Sequence, residues 1–341
     1  MGTGNMYVGI DLHKRSFSFV ILDVSGHRLS QGSCSTEKSE VHSFASSLDS
    51  RCHVAFEPLG NGYWFKDQLQ PYVGSIHLAN PYKVRLIAES RLKNDQIDAC
   101  ILADLLRVGY LPEVYIPTDQ VISWRRLISH RIHLVQDRTR CRNRILDMIS
   151  REGLRVKVGD AFGKSGRAEM DKLSLSEQSR SFVDDMLVRH DLIDKQIGSI
   201  DKEIQAISET DPVCCLLQTI DGVGSFTALS VRAIVGEMSR FRSAKAFAAY
   251  TGLIPGYRHS AEKVHNGPIT KQGSPILRWV LLQGVNHFKR NTDYLQRLYS
   301  RICFRSSTVK ARVAVAHAMA RIIYHVWMEA RPYYRSQVEM G

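Results

Sequence analysis

Short apolar runs alternate with polar turns over the first third of the chain, and this pattern predicts strands and amphipathic helices. Three strands come in succession, and helices and strands then alternate. This order predicts a mixed α/β sheet with helices on its faces. The predicted strands are residues 6–12, 16–24, 27–33, 53–56 and 75–79, and the predicted helices are 37–48, 63–69 and two that begin near residues 81 and 95.

The middle of the chain has the periodicity of long helices. Apolar residues recur every seven positions over residues 124–149 and in 4/3 alternation over residues 182–207, which is typical of a coiled-coil seam. The two sets are Leu127, Leu134, Cys141 and Met148, then Phe182, Met186, Ile193, Ile197, Ile200, Ile204 and Ile207, interrupted by His190. Residues 153–176 between them have the composition of a loop or insertion. We predict an antiparallel hairpin or a dimerising arm, with two ordinary bundle helices as the alternative.

The last third is predicted to be mostly helical, with two interruptions that could meet phosphate. A turn at Gly222 and Gly224 between two apolar helices resembles a helix-hairpin-helix, in which backbone N–H groups approach a phosphate. A plain interhelical turn fits this short motif equally well. Further on, we predict an exposed polar loop that ends at Ser260, followed by another helix. Basic residues flank this loop: Arg258, Lys263, Lys271 and Arg278.

Length and composition set the broad class. The 341 residues suffice for two or three domains with real cores, and we divide the chain at residues 1–115, 116–210 and 211–335. No apolar run approaches the ~20 residues that span a bilayer, and the N-terminus lacks a signal pattern, so we expect a cytoplasmic protein. None of the seven cysteines forms a CxxC pair, which favours reduced thiols over disulfides or zinc.

The net charge of +12 is unevenly distributed and points to a polyanionic partner. Residues 1–115 are nearly neutral, residues 120–151 carry +6, residues 152–210 carry −3 and residues 211–341 carry +11. Arginine binds phosphate with a planar two-donor fork. We therefore expect an RNA or DNA backbone on the helix around residues 124–149, with a merely solvated face as the alternative. Its arginines are Arg125, Arg126, Arg131, Arg138, Arg140, Arg142, Arg144 and Arg151.

Four carboxylates in the first hundred residues have the pattern of a divalent-metal site. Asp11 and Glu57 end apolar runs, and Asp95 and Asp98 stand three apart at the start of a predicted helix. Two metal ions about 4 Å apart need several converging carboxylates, and burying four like charges without a cation is strongly unfavourable. We expect Mg²⁺ or Mn²⁺ at this site, or a site that only nucleic acid completes.

Ser260 is a weaker candidate when it is considered alone, because most serines in loops only donate and accept hydrogen bonds. Cations around a hydroxyl, however, can hold a phosphate and stabilise its transition state. His259 is a candidate proton acceptor, although adjacent side chains rarely face the same point.

Taken together, the motifs resemble those of the DEDD transposases, the insertion-sequence recombinases guided by a bridge RNA and related to the pilin-gene invertase. In chain order they are Tyr7-Val-Gly-Ile-Asp-Leu-His-Lys14, Phe56-Glu-Pro58, Lys93-Asn-Asp-Gln-Ile-Asp-Ala99, Thr219-Ile-Asp-Gly-Val-Gly224, Tyr250-Thr-Gly-Leu-Ile-Pro255, Ser260 and Ile269-Thr-Lys-Gln-Gly273. The resemblance covers nearly the whole chain.

The resemblance implies a RuvC-like domain with an RNase H fold, a coiled-coil linker and a C-terminal transposase domain. It also implies that Asp11, Glu57, Asp95 and Asp98 form the DEDD tetrad and that Ser260 is a nucleophile forming a covalent phosphoserine. The implied partners are donor and target DNA, a structured noncoding guide RNA, and further copies of the chain as dimers that meet in a tetramer. A prokaryotic, nucleoid-associated location follows from these partners.

One position departs from the family pattern, and three other functions stay open. The family has Gly after the serine, where positive φ is easily adopted, whereas this chain has Ala261. A RuvC-like nuclease that uses metal-activated water is the main alternative. An actin-like kinase is disfavoured because Leu12-His13-Lys14 replaces a Gly-rich phosphate turn. A catalytically silent RNA-binding protein is disfavoured by the intact tetrad.

Overall fold

The computed structural model describes residues 4–58, 60–88, 94–260, 263–291 and 293–333, and within these it describes residues 257–260, 263–266, 288–291 and 293 by their backbone alone. The chain divides into two compact units, Met1–Ile116 and Pro117–Gly341. The further division of the second unit at residue 210 stays a prediction.

The first unit is built on a five-stranded mixed sheet, as the apolar pattern predicts. Its strand order is β3-β2-β1-β4-β5. The first three strands pair antiparallel, and β4 and β5 continue the sheet parallel to β1. The strands are β1 (Met6–Leu12), β2 (Ser16–Leu22), β3 (Arg28–Ser35), β4 (Cys52–Phe56) and β5 (Ser75–Leu78).

Helices cover both faces of this sheet because β1 and its neighbours are apolar on both sides. They are α1 (Lys38–Ser46), α2 (Gly62–Leu69), α3 (Pro81–Ile87) and α4 (Asp95–Arg107). Val8 and Ile10 of β1 pack with α1 and α2. Because side chains alternate along a strand, Gly9 and Asp11 lie on the opposite face, which α4 covers.

The close approach of α4 to β1 depends on Gly9. A Cβ at Gly9 would lie 1.9 Å from the carbonyl oxygen of Ala99 and 2.5 Å from the backbone nitrogen of Ala103. Only a residue without a side chain permits this distance. The first turn of α4 is thereby held beside the carboxyl end of β1.

The second unit is mostly helical, as predicted. Its elements are α5 (Asp119–Arg151), α6 (Lys164–Asp171), α7 (Glu177–Thr210), α8 (Pro212–Leu217), α9 (Ser225–Val235), a 3₁₀ turn (Met238–Arg240), α10 (Ala244–Tyr250), β6 (Pro255–Ser260), β7 (Lys263–Ile269), α11 (Pro275–Asn291), α12 (Asp293–Arg305) and α13 (Thr308–Glu329). One core joins the start of α5 and the end of α7 to α8–α13. In the part of the chain that the structure describes, no helix is long and apolar enough to cross a membrane.

Helices α5 and α7 pack against each other in antiparallel orientation within the one chain. Their contacts run in opposite order along the two helices, from Arg131–Asp201 through Arg138–Asp194 to Cys141–Met186. The predicted contact stripe is wrong at Phe182, which is 36% exposed, whereas its neighbour Val183 is fully buried. The buried stripe passes through His190 instead of breaking there, because polar partners surround that ring.

Two predicted loops contain regular structure instead. Residues 153–176 include α6, whose Met170 is fully buried in a small core with Ile145 and Val183. Several other apolar residues of this stretch, among them Leu154, Phe162 and Leu173, pack against the same core, so the stretch closes the end of the α5–α7 pair. The predicted polar loop before Ser260 is the β-strand β6.

Candidate active site

The sheet register brings Asp11 and Glu57 to the same edge. Strands β1 and β4 are parallel, with Gly9 opposite Ala55 and Ile10 opposite Phe56. Asp11 and Glu57 come next in the two strands, and both side chains are half-buried. Two neighbouring parallel strands therefore present a carboxylate each at their carboxyl ends, where sites of α/β sheets generally lie.

Helix α4 supplies the other two predicted carboxylates from its first turn. Asn94 caps the helix, because its side-chain oxygen accepts a hydrogen bond of 3.1 Å from the backbone N–H of Gln96. Asp95 and Asp98 stand in this turn, where the partial positive charge of the helix N-terminus favours anions. The local sequence thus stabilises acidic residues at the place where the helix crosses β1.

The pKa directions of Asp11 and Glu57 have two physical causes, burial first and repulsion between carboxylates second. Burial raises the pKa of Asp11, the interaction with His13 lowers it, and the charges of Asp95 and Asp98 raise it further. Burial also raises the pKa of Glu57, with added repulsion from Asp11 and Asp98. The ends of β1 and β4 and the first turn of α4 thus bring the four predicted acidic residues into one carboxylate cluster.

His13 belongs to this cluster, and sequence reasoning did not assign it a role. Its Nε2 lies 3.1 Å from Oδ2 of Asp11 and 3.5 Å from Oδ2 of Asp95. One ligand atom from each of these three residues lies within 4.8 Å of the others. The available signal was the spacing: His13 stands two residues after Asp11, so a continuing strand would present both side chains on one face.

The residues fit a divalent cation. Carboxylate oxygens suit Mg²⁺ and Mn²⁺, and an imidazole is compatible with Mn²⁺. Burial is the main reason why the pKa values of Asp11 and Glu57 are raised, and repulsion from neighbouring carboxylates adds to it; a bound cation would favour the ionised form of both groups. Asp11, Glu57, Asp95 and Asp98 would hold the ion, with His13 as a neighbour or a further ligand.

Ser260 lies at the end of a β-hairpin in the second unit, which corrects the predicted polar loop. Strand β6 pairs antiparallel with β7, and the backbone register places Ser260 opposite Lys263 and Arg258 opposite His265. Tyr257, Val264 and Ile269 are residues that favour extended backbone, which explains the strands. The departure from the family pattern at Ala261 lies outside the described residues.

Arg278 and Lys271, both predicted to bind nucleic acid, take part in the loop that leads out of the hairpin. Arg278 donates hydrogen bonds from Nη1 to the carbonyl oxygens of Thr251 and Lys271, at 3.3 and 3.2 Å. Lys271 has a φ of 54°, which is uncommon for a residue with a side chain. Gly273 has a φ of 120°, and a Cβ there would lie 1.8 Å from the carbonyl oxygen of Tyr250. These residues set the geometry of the loop.

The arginines of α5 divide into internal and exposed groups. Arg131 and Arg138 pair with Asp201 and Asp194 of α7. Three others also make contacts within the protein: Arg125 donates to the carbonyl oxygens of Ala233 and Ile234, Arg142 donates to His190, and Arg140 pairs with Asp137. The acidic partners that the sequence of α5 lacks thus come largely from α7.

Arg126 and Arg144 are exposed on α5. Arg144 borders a small hollow of about 110 Å³ together with Arg140 and with Arg189 of α7. The lining of this hollow also includes Asp137, the partner of Arg140, and the binding of nucleic acid here stays a prediction.

The turn between α8 and α9 has the backbone that its glycines predict. Gly222 has a φ of 86°, and α9 begins directly after Gly224. The turn borders a groove of about 700 Å³ whose other wall is α11, with Gln283 and His287. Both a helix-hairpin-helix and a plain interhelical turn agree with this geometry.

Comparison with known proteins defines the class. A family profile described as "DEDD_Tnp_IS110: Transposase" matches residues 8–151, and one described as "Transposase IS116/IS110/IS902 family" matches residues 214–300. The chain is 26% identical over 327 residues to the transposase for insertion sequence element IS1111A of Coxiella burnetii, covering 93% of this chain and 88% of that protein. It is also 26% identical over 357 residues to the pilin gene-inverting protein of Moraxella lacunata, covering 96% and 97%.

These matches identify the α/β domain with its clustered acidic residues and the helical domain that follows it as parts of a DNA-cleaving and rejoining enzyme. The chain belongs to the IS110/IS116 family of insertion-sequence transposases.

Proposed function

We propose that this transposase is an RNA-guided DNA recombinase that cuts and exchanges strands through a covalent phosphoserine. The placement of Asp11 and Glu57 at one sheet edge beside the first turn of α4 supports metal-dependent cleavage. The observation that favours strand exchange over simple cleavage is the match of residues 214–300, which include Ser260, to the transposase family. We assign the first unit to the RuvC-like class with an RNase H fold, since its mixed sheet has three antiparallel strands followed by two parallel ones. The α5–α7 pair takes the role of the coiled-coil linker.

Asp11, Glu57, Asp95 and Asp98 would hold a divalent cation beside the scissile phosphate. A bound Mg²⁺ or Mn²⁺ supplies charge neutralisation at the phosphate and at the leaving oxygen. Asp11 and Glu57 bind from the rigid sheet edge, whereas Asp95 and Asp98 bind from a helix whose position is set by Gly9. His13 orients Asp11 by its contact of 3.1 Å.

Ser260 is the proposed nucleophile. Its hydroxyl oxygen loses its proton and attacks the phosphorus of the DNA backbone. A phosphoserine bond forms as the P–O bond to one DNA end breaks, and that end takes up a proton and leaves as a hydroxyl. The hairpin of β6 and β7 supports this role because a nucleophile held on a paired strand keeps its position. We further propose that tetrads and serines of different subunits combine in a tetramer, and that Arg126, Arg144 and Arg258 contact nucleic acid.

Three substitutions test the chemistry in a recombination assay with purified protein, guide RNA, and donor and target DNA. Asp11→Asn and Ser260→Ala should each abolish recombination. Ser260→Ala should also abolish the protein-linked DNA strand on a denaturing gel, whereas Ser243→Ala, at the cap of α10, should retain it. Normal recombination by Ser260→Ala would remove the serine from the mechanism.

The guide RNA and the assembly are tested separately. Recombination should require the noncoding RNA of the element, and removing that RNA with ribonuclease should stop it. Full activity without RNA would exclude the guide. Sedimentation of the protein with RNA and both DNAs should show four copies of the chain, and a complex with two copies would exclude the tetramer.

A RuvC-like nuclease is the second candidate, and the carboxylate cluster considered alone favours it. Such an enzyme would use metal-activated water and release free DNA ends. The same denaturing gel separates the two functions. Cleavage without any protein-linked strand, unaffected by Ser260→Ala, would establish the nuclease.

A further inference from the structure

Helix α12 carries an exposed stripe of aromatic and cationic residues, in which two arginines lie between two aromatic rings. Its members are Tyr294, Arg297, Arg301 and Phe304, and their spacing of three, four and three residues places them on one face of the helix. Arg305 lies beside them. Phe304 is 94% exposed and Tyr294 is 40% exposed. We call these five residues the α12 stripe.

The opposite face of α12 anchors the helix, so the stripe is held rigidly outward. Leu295 is buried in the core of the second unit, and Leu298 and Tyr299 pack against that core. The helix contacts both α11 and α13. At 94% exposure, Phe304 contributes little to the packing of the helix, so its ring is available to an external partner.

Basic residues outnumber acidic ones around the stripe, where Asp293 precedes it in the sequence and Glu329 lies in the wall of the neighbouring groove. Residues 294–328 contain six Lys and Arg and neither Asp nor Glu. Successive arginines of the stripe stand four residues apart, which is about 6 Å along the helix axis. Long arginine side chains at this spacing can reach neighbouring phosphates of one strand, and each offers two donors to a phosphate.

A groove borders the stripe on the side of α13. It has a volume of about 590 Å³, and its walls include Tyr294 and Leu298 of α12 and His317, Arg321 and His325 of α13. Arg321 adds a further cation to the wall, while His325 pairs with Glu329 at 3.2 Å. The groove combines an aromatic ring, apolar surface and a cation, which are the features that receive an unstacked base.

We propose that the α12 stripe is a binding site for single-stranded nucleic acid, with phosphates on Arg297, Arg301 and Arg305 and unpaired bases against Phe304 and Tyr294. Strand exchange passes through unpaired strands, and a structured RNA also presents them, so the site deepens the proposed function. Base stacking on aromatic rings occurs with any base. The α12 stripe therefore holds a strand without reading its sequence.

The test uses full-length protein and fluorescence anisotropy with labelled oligouridine, oligothymidine and a blunt DNA duplex. Phe304→Ala should weaken binding of the single strands about fivefold or more, from the stacking contribution per base, and should change duplex binding little. The combined variant Arg297→Gln, Arg301→Gln and Arg305→Gln should lower the slope of log affinity against log salt by about 2 for single strands. The oligouridine and oligothymidine arms show whether the preferred strand is RNA or DNA.

The control removes the same charge elsewhere on the second unit, by replacing the exposed Lys157, Lys172 and Lys195 with Gln. It should keep the parent's single-strand affinity to within about twofold. Parent-like binding by both α12 variants would overturn the proposal. An altered sedimentation of Phe304→Ala with unchanged oligonucleotide binding would also overturn it, because the α12 stripe would then be a contact between copies of the chain. Neither outcome depends on recombination, so failure here is distinct from failure of the RNA-guided mechanism.

Discussion

Replacing Gly9 with Ala should separate the two elements that build the carboxylate cluster. The added Cβ would lie 1.9 Å from the carbonyl oxygen of Ala99, and this atom must retreat by about 1.5 Å to reach an ordinary contact of 3.4 Å. Because both nearest atoms are backbone, no change of side-chain rotamer relieves the overlap. Helix α4 must therefore move, and Asp98, directly before Ala99, moves with it.

The structure gives two magnitudes for this substitution. Overpacking costs about 1–3 kcal/mol, and more when backbone must shift, so the unfolding temperature of the first unit should fall. Displacing a reacting group by about 1 Å costs about 100-fold in rate, so recombination should drop by that factor or more even where the protein remains folded. Strand exchange and thermal unfolding measured on the same preparation check both effects.

Gly198→Ala is the matched control, since nothing lies within 4 Å of a Cβ placed at that exposed helical position. It should preserve activity and stabilise α7 by up to about 1 kcal/mol. A Gly9→Ala variant with the parent's unfolding temperature and activity would refute the proposed packing of α4 on β1.

Three further predictions concern charge and backbone geometry. Because burial raises the pKa of Asp11 in the folded state, the metal-free first unit should lose stability as the pH rises above the ordinary pKa of a carboxyl group. Asp11→Asn should remove part of this loss, and it should reduce the gain in unfolding temperature on adding Mg²⁺ or Mn²⁺. An undiminished gain would refute the role of Asp11 as a ligand. Arg131→Gln should destabilise the second unit by up to about 1 kcal/mol, because it removes the ion pair with Asp201 of α7. Arg144→Gln should leave stability unchanged and weaken RNA binding in a filter assay. The reverse pattern would contradict the division of the α5 arginines into internal and exposed groups. Gly273→Ala should lower the unfolding temperature through its φ of 120° and its overlap with Tyr250, and a stable variant would show that this loop adapts.

The alternation of apolar runs was sufficient to predict the sheet of the first unit. Strand β1 begins and ends at the predicted residues, and β4 differs by one residue at its start. These strands are short, buried and flanked by turn residues, so local pattern and tertiary environment agree. The four carboxylates were predicted from their places at strand ends and a helix start, and the parallel register of β1 and β4 places Asp11 and Glu57 at one edge.

Periodicity was less informative where partners come from distant segments. The predicted stripe of α7 included Phe182, but Val183 is the buried residue. Apolar residues on neighbouring positions make two stripes possible, and packing against α5 selects one of them. The arginines of α5 show the same dependence, because the partners of Arg131 and Arg138 lie on α7, 70 and 56 residues further along the chain.

The sequence by itself determined the family and the order of its features along the chain. These features are acidic residues at strand ends, long amphipathic helices and a basic region over residues 211–341. The tertiary structure decided which of these residues meet. His13 joins the carboxylate cluster, and Gly9 lets α4 approach β1 closely enough to complete it. Distances between segments far apart in the chain depend on side-chain volume and packing, which no local pattern records.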